Sequence, residues 1–488
     1  MSVAEISEFL RSWQPSGEWS GSTREGLGRI LSGIVAAEPR RFASEGDRFL
    51  GLDPTYVRAL VSGLRDAAGE KRGFPWEQVI FVCKWAVDQP RDRVLREGAS
   101  RTRDRWDEDP DWGWARKAIA GLLARGFSSG PLEIPLNLRE SVWAILRPLT
   151  EDPDPTPEDE AGDGMDPMTL SINTTRGEAM HAVIQYGLWI HRNNGGAGLR
   201  IGFDQMPEVQ EVLEAHLDPT RDPSLAIRSV YGRWFPQLLL LDRSWATPRV
   251  ELVFPSDEAL REYWAAAWDM YVIACRPYDE TFEPLQPVYA RAVERIGTAR
   301  PRWRELTDAE EKLSEHLMVW YWQGRLAFEG ENTLLRRFYE KVPASVRRHA
   351  LMFVGSSLRD TSGDIPLDAL ERIQRLWSWR IVETRRTKTG DPLRDELSAF
   401  GWWFVSGKFD DRWAITELVS ALSIARKIDP DHLVLERLAA IARAFPREAI
   451  EALRLLVEGD TEGWKILAWR NEVRAIVAAA LATVSHVK

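Results

Sequence analysis

The stretch TRGEAMHAVIQYGLW, from Thr175 to Trp189, reads as a helix along its length and at its start. Met180, Ile184 and Leu188 recur every fourth residue, which gathers them on one face of a 3.6-residue turn. Thr175 and Glu178 have the spacing of a capping box: the hydroxyl accepts from the third helical N–H and the carboxylate reaches back. The same period returns in Ile30, Ile34 and Val35, in Tyr56, Leu60 and Leu64, in Leu370, Ile373 and Trp377, and in Leu435, Leu438 and Ala442. Each stripe breaks after about 10–18 residues, usually at Gly or Pro. Ser22 with Glu25 and Thr307 with Glu310 repeat the box, and Gly126 and Gly355 stand where helices are expected to stop. Strand-like alternation is scarce. The spacing predicts an all-α fold of roughly twenty helices.

Several helices are expected in pairs: Pro343 to Val354 with Pro366 to Glu383, then Asp411 to Lys427, Asp431 to Ala444 and Pro446 to Val457. A helical hairpin cannot bury its apolar stripe alone, so neighbours must stack. The pair spacing is irregular and no strict consensus repeats, which predicts an elongated, irregular HEAT- or TPR-like α-solenoid. With 488 residues, a single core is not expected. Leu149 to Met168 reads LTEDPDPTPEDEAGDGMDPM, with eight acidic residues and no Lys or Arg. Such a stretch repels itself, and an acidic linker is expected at 149–168. It separates an N-terminal helical domain, 1–148, from a middle one, 169–328, with HEAT-like repeats over 329–488. His191 to Gly202, with four Gly, is a softer break.

Composition narrows the function. A net charge of -10 argues against a general nucleic-acid binder. Cys83 and Cys275 supply neither a disulfide framework nor a zinc site, and a reducing cytoplasm is the expected compartment. Met1 to Leu10 lacks the pattern of a signal peptide, and the apolar run Ala475 to Val484 is too short to span a bilayer. The 23 Trp are scattered along the chain, as expected of rings that fill gaps between helices.

Motifs with chemistry are few. Gly126-Phe-Ser128-Ser-Gly130 matches a nucleophile elbow in letters but follows a helix instead of a strand. The stretch from Gly401 to Lys408 has one residue too many between its glycines for a phosphate loop, and Phe409 where Mg²⁺ needs a hydroxyl. No HExxH occurs among the seven His. No cofactor, metal or catalytic set is expected. If a site assembles from distant helices, Arg176, Glu178, His181 and Asp242 are its first candidates. Arg336 to Lys388 holds twelve Lys/Arg and six Asp/Glu, with Trp377 and Trp379 between arginines that include Arg347, Arg348 and Arg385. Interleaved Arg and Trp suit phosphate contact and base stacking, so nucleic-acid binding there is the alternative function. Asn173 and Arg176 open an amphipathic helix and are expected to face a partner.

Five segments are familiar as a set: LGLDPTYVRALVSGLRDA from Leu50, DPDWGWARKAI from Asp109, DPMTLSINTTRGEAMHAVIQYGLW from Asp166, DPSLAIRSVYGRWFPQLLLLDRSWA from Asp222 and EALRLLVEGDTEGW from Glu451. Together they resemble the helical-repeat C-terminal regions of large bacterial anti-phage defence proteins, of the STAND NTPase type or linked to an effector. The resemblance implies a non-enzymatic scaffold or sensor whose partner is a protein: an NTPase or effector subunit, or a phage trigger. It carries no catalytic residue across, and implies a stand-alone subunit or a piece of a longer chain.

Overall fold

The computed structural model describes residues 1–14, 23–91, 109, 111–161, 165–194, 202–298, 309–330, 332–460, 463 and 468–485. Within them the regular elements are helices, without a strand. They outnumber the roughly twenty expected, because single turns such as Arg243–Ala246 and Val250–Val253 are too short to show a period. The chain divides into two compact units, Met1–Pro284 with Pro301–Leu306 and Leu285–Arg300 with Thr307–Lys488.

In the first unit the long helices pack in chain order. Arg24–Ala37 lies on Pro54–Gly69, which lies on Gly113–Gly126, then Thr175–Asn194, Leu225–Leu241 and Arg261–Ala274. Of the stripe on Thr175–Asn194, Met180 and Ile184 are wholly buried and Leu188 is part-buried, while the neighbouring Trp189 is wholly buried. Each aliphatic side chain so buried is worth about 1.5–3 kcal/mol against exposure. At the last crossing the backbones nearly touch, since a Cβ on Gly232 would lie 1.9 Å from the Ala267 carbonyl oxygen. In the second unit Ala344–Asp360 packs on Ala309–Trp322, on the 3-10 segment Pro392–Ala399 and on Phe400–Val405. There Pro446–Gly459 lies between Asp411–Ala425 and Arg470–Ser485.

Four Trp (Trp189, Trp320, Trp377 and Trp403) are among the largest fully buried side chains. The indole N–H of Trp189 donates to Ile134 O at 3.1 Å and that of Trp403 to Leu351 O at 2.7 Å. The ring thus fills a gap while its polar edge is satisfied locally.

Several helix ends differ from expectation. The helix Ala344–Asp360 runs straight through Gly355, where a Cβ would lie 2.6 Å from atoms of both Trp402 and Trp403. That glycine serves a close crossing and not a stop. Thr23, not Ser22, caps Arg24–Ala37 by accepting from Gly26 N. Thr175 forms no box with Glu178. Its N–H donates to Asp154 Oδ2 at 2.7 Å, and the Arg176 N–H donates to Asp154 O at 2.7 Å. The box expected at Thr307 and most of the break at His191 to Gly202 lie outside the described residues.

The described residues of the acidic stretch at 149–168 lie inside the first unit and are bound into it. Asp152 is buried and pairs with Arg91 and Arg116, each at 3.1 Å. Glu151 accepts from Arg147 and Arg221, both at 2.9 Å. Glu160 accepts from Ser224 Oγ and, at 2.9 Å, from Leu225 N, capping the start of Leu225–Leu241. Glu151 and Asp152 meet arginines that mostly lie far away in sequence, a pairing that no local count contains.

Candidate functional site

Most of the residues expected to meet a partner are engaged by neighbours within the fold. Arg176 Nη1 and Nη2 donate to Asp152 O at 2.9 Å and Pro155 O at 3.1 Å, while Nε lies 3.5 Å from Asp222. It fastens the acidic stretch to the helix Thr175–Asn194. Trp377 is wholly buried and donates to Glu417 at 2.9 Å. Trp379 is part-buried against Phe328 and Tyr339, with Arg336 and Arg380 over its ring. Arg347 Nε donates to Val342 O, and Arg348 holds Ser398 and Asp429. Burial, with repulsion from Arg380, draws the Arg347 guanidinium below its usual range. Arg385 is exposed and has no partner among the described residues.

Five of the twelve cations in the basic segment 336–388 are paired with carboxylates outside it. Arg337 and Lys341 pair with Glu294, Arg348 with Asp429, Arg375 with Glu329 and Arg380 with Glu396. These charges are not free to displace the counterions of a nucleic-acid backbone.

The four residues of the candidate enzyme site do not converge. Asp242 caps Arg243–Ala246 and accepts from the Phe203 N–H. His181 is buried, its Nδ1 accepts from Trp234 Nε1 at 2.7 Å, and its Nε2 lies 3.0 Å from Ser171 Oγ. The indole proton fixes Nδ1 as the acceptor, so Nε2 carries the hydrogen and donates to Ser171, which itself donates to Met168 O at 2.8 Å. This imidazole cannot take a proton from that hydroxyl. Burial also pushes it down to about 3. Among the described residues no group of three or more His, Cys, Asp and Glu is placed to hold a metal ion.

Asn173 does reach an exposed polar surface. Its Oδ1 accepts from Lys117 Nζ at 3.4 Å. Lys117 belongs to a stripe on Gly113–Gly126 with Trp114, Gly121 and Arg125, spaced to share one helical face. On Pro54–Gly69 the residues Arg58, Ser62, Arg65 and Gly69 share another. The two stripes run side by side. Arg58 Cζ lies 5.4 Å from the Trp114 ring centre, and a Cβ on Gly69 would lie 3.6 Å from Arg125 Nη2. At Gly121 three helices meet, since a Cβ there would lie 3.0 Å from Glu178 Oε1 and 3.2 Å from Arg65 Nη1. The missing side chain leaves the room into which Arg65 and Glu178 reach from either side.

The charges of this surface make few direct contacts. Arg65, Arg125 and Glu178 have no hydrogen-bond or ion-pair partner among the described residues, and Lys117 has only Asn173. Burial lowers the Lys117 ammonium, against the pull of Glu178 and Asp154. Burial raises the Glu178 carboxyl, against Lys117 and Arg65. Perturbed groups of opposite sign that stand near each other without touching are a mark of a site left open for something else. Trp114 is 48% exposed and Ile172, beside Asn173, is 47% exposed. The signal was present in the sequence as a polar and small stripe at i, i+3, i+7 and i+11 on an apolar helix. Net charge over a long segment averages such a stripe away. No family model, no curated protein and no solved structure matches this chain.

Proposed function

We propose that the chain is a non-enzymatic protein-interaction scaffold or sensor subunit, built as an irregular α-solenoid and docking its partner on the stripe around Trp114, Lys117 and Gly121. The observation that carries this reading is the set of cations Arg65, Lys117 and Arg125, none in an ion pair among the described residues, beside an exposed Trp. Elsewhere even Asp152, wholly inside the fold, finds two arginines. An exposed indole gripped by Arg58 is a rigid anchor of the kind that dominates binding energy at interfaces. Unpaired charge around it sets orientation and on-rate. The resemblance to repeat regions of bacterial anti-phage proteins supports a role in such a defence complex in the cytoplasm, with an NTPase, an effector or a phage component as the partner.

Affinity capture of the tagged full chain from its native host tests the reading. The wild type retains a stoichiometric protein that the variant Arg65→Glu/Arg125→Glu releases. Recovery of both forms alone, with and without phage infection, or of the same partner in equal yield, overturns it.

A further inference from the structure

We infer that the occupant of the stripe is an acidic, extended segment of a partner protein, with one apolar side chain laid on Trp114 and carboxylates reaching Lys117, Arg65 and Arg125; this rests on the docking role proposed above. Trp114 and Arg125 lie about 16 Å apart along their helix at 1.5 Å per residue. An extended chain covers that distance in about five residues, and its alternate side chains repeat every ~6.7 Å. An apolar residue over Trp114 therefore places the second side chain after it between Lys117 and Arg65, and the fourth near Arg125.

Glu178 decides between classes of occupant. Its carboxylate stands unpaired in the middle of the cations, part-buried, and can only accept when charged. A peptide brings a main-chain N–H at almost every residue to satisfy it. A phosphodiester backbone brings no donor. Asn173, fixed by its own donation to Thr169 O at 2.9 Å, offers a further amide at the rim.

The test is fluorescence anisotropy of the full chain with a fluorescein-labelled peptide that carries one phenylalanine followed by two glutamates at alternate positions. Expected is saturable binding that weakens about tenfold in Lys117→Gln and in Arg65→Glu, and that falls as salt screens the charges. Circular dichroism of each variant verifies the fold, and Arg385→Glu, on the other unit, leaves binding unchanged. A single-stranded oligothymidylate that binds more tightly than the peptide overturns the assignment. So does a concentration-dependent dimer that the same substitutions abolish. If the peptide fails to bind while the host partner is still released by Arg65→Glu/Arg125→Glu, the acidic segment is wrong and the docking role stands. If release fails as well, both fall.

Discussion

Replacing Glu396 with Gln strips one charge from the interior of the second unit and leaves its partner behind. Glu396 is 0% exposed and Arg380 3%. Arg380 donates to Glu396 Oε1 from Nε at 3.2 Å and from Nη2 at 2.7 Å, and Thr384 adds a third bond at 2.6 Å. The guanidinium also lies 4.6 Å from the ring centres of Tyr339 and Trp379. Glutamine keeps the shape and can still accept through Oε1, so the substitution removes the charge and places an amide donor where Oε2 has no partner. Breaking a buried pair from one side costs about 3–5 kcal/mol. The two rings continue to hold the cation, which favours the lower end, about 3 kcal/mol. For a unit of this size that corresponds to a drop of roughly 6–12 °C in melting temperature. Thermal melts by circular dichroism give the shift, and hydrogen exchange over Leu367–Arg385 locates it. The double variant Arg380→Met/Glu396→Leu, with no charge to strand, recovers most of the loss. A cost below about 1 kcal/mol for Glu396→Gln, or a double variant no better than the single one, refutes the reasoning.

Three further outcomes follow from packing and burial. Gly232→Ala forces the helices Leu225–Leu241 and Arg261–Ala274 apart by about 1 Å and destabilises by about 1–3 kcal/mol, whereas Gly33→Ala, with nothing within 4 Å, stabilises by about 0.4–1 kcal/mol; denaturant midpoints that reverse this order would contradict the crossing. His181 sits at about 3 in the fold against 6.5 unperturbed, so the stability its neutral form supplies is complete above pH 6.5 and is lost as pH falls towards 3, by up to about 1.4 kcal/mol per pH unit. The His181 imidazole resonance, assigned by its loss in His181→Gln, titrating near 6.5 in the native protein is incompatible with that. Cys83 and Cys275 are buried, with thiols pushed up by burial to about 12 and about 11, so Ellman's reagent at pH 8 finds no reactive thiol until denaturant is added; rapid reaction of either in the native protein refutes their burial.

The helical fold was legible because it is written in short-range spacing. Asp411 to Lys427 was expected where Asp411–Ala425 is found, and Pro446 to Val457 where Pro446–Gly459 is found. What spacing cannot carry is the partner of a charge. Arg348 meets Asp429, far downstream, and Asp152 meets Arg91 and Arg116, which is why a basic segment and an acidic one both looked free. Gly355 misled for a related reason. A glycine that ends a helix and one that admits a neighbouring Trp are the same letter. Of the residues singled out for a partner, Asn173 falls at the candidate site, and the cations around it were hidden by averaging over segments in which most charges are paired.

The order in which the first unit's helices meet has a consequence for how the chain is made. Each of the helices in that row rests on one translated earlier, so the surface that receives it already exists as it leaves the ribosome. Contacts between sequence neighbours close short loops and form quickly. Assembly can proceed from the N-terminus inward without waiting for distant segments. The close crossing at Gly232 comes late in that sequence. A bulky residue there stalls a nearly finished row with the apolar face of Leu225–Leu241 uncovered, and aggregation during synthesis is the form in which that defect is first met.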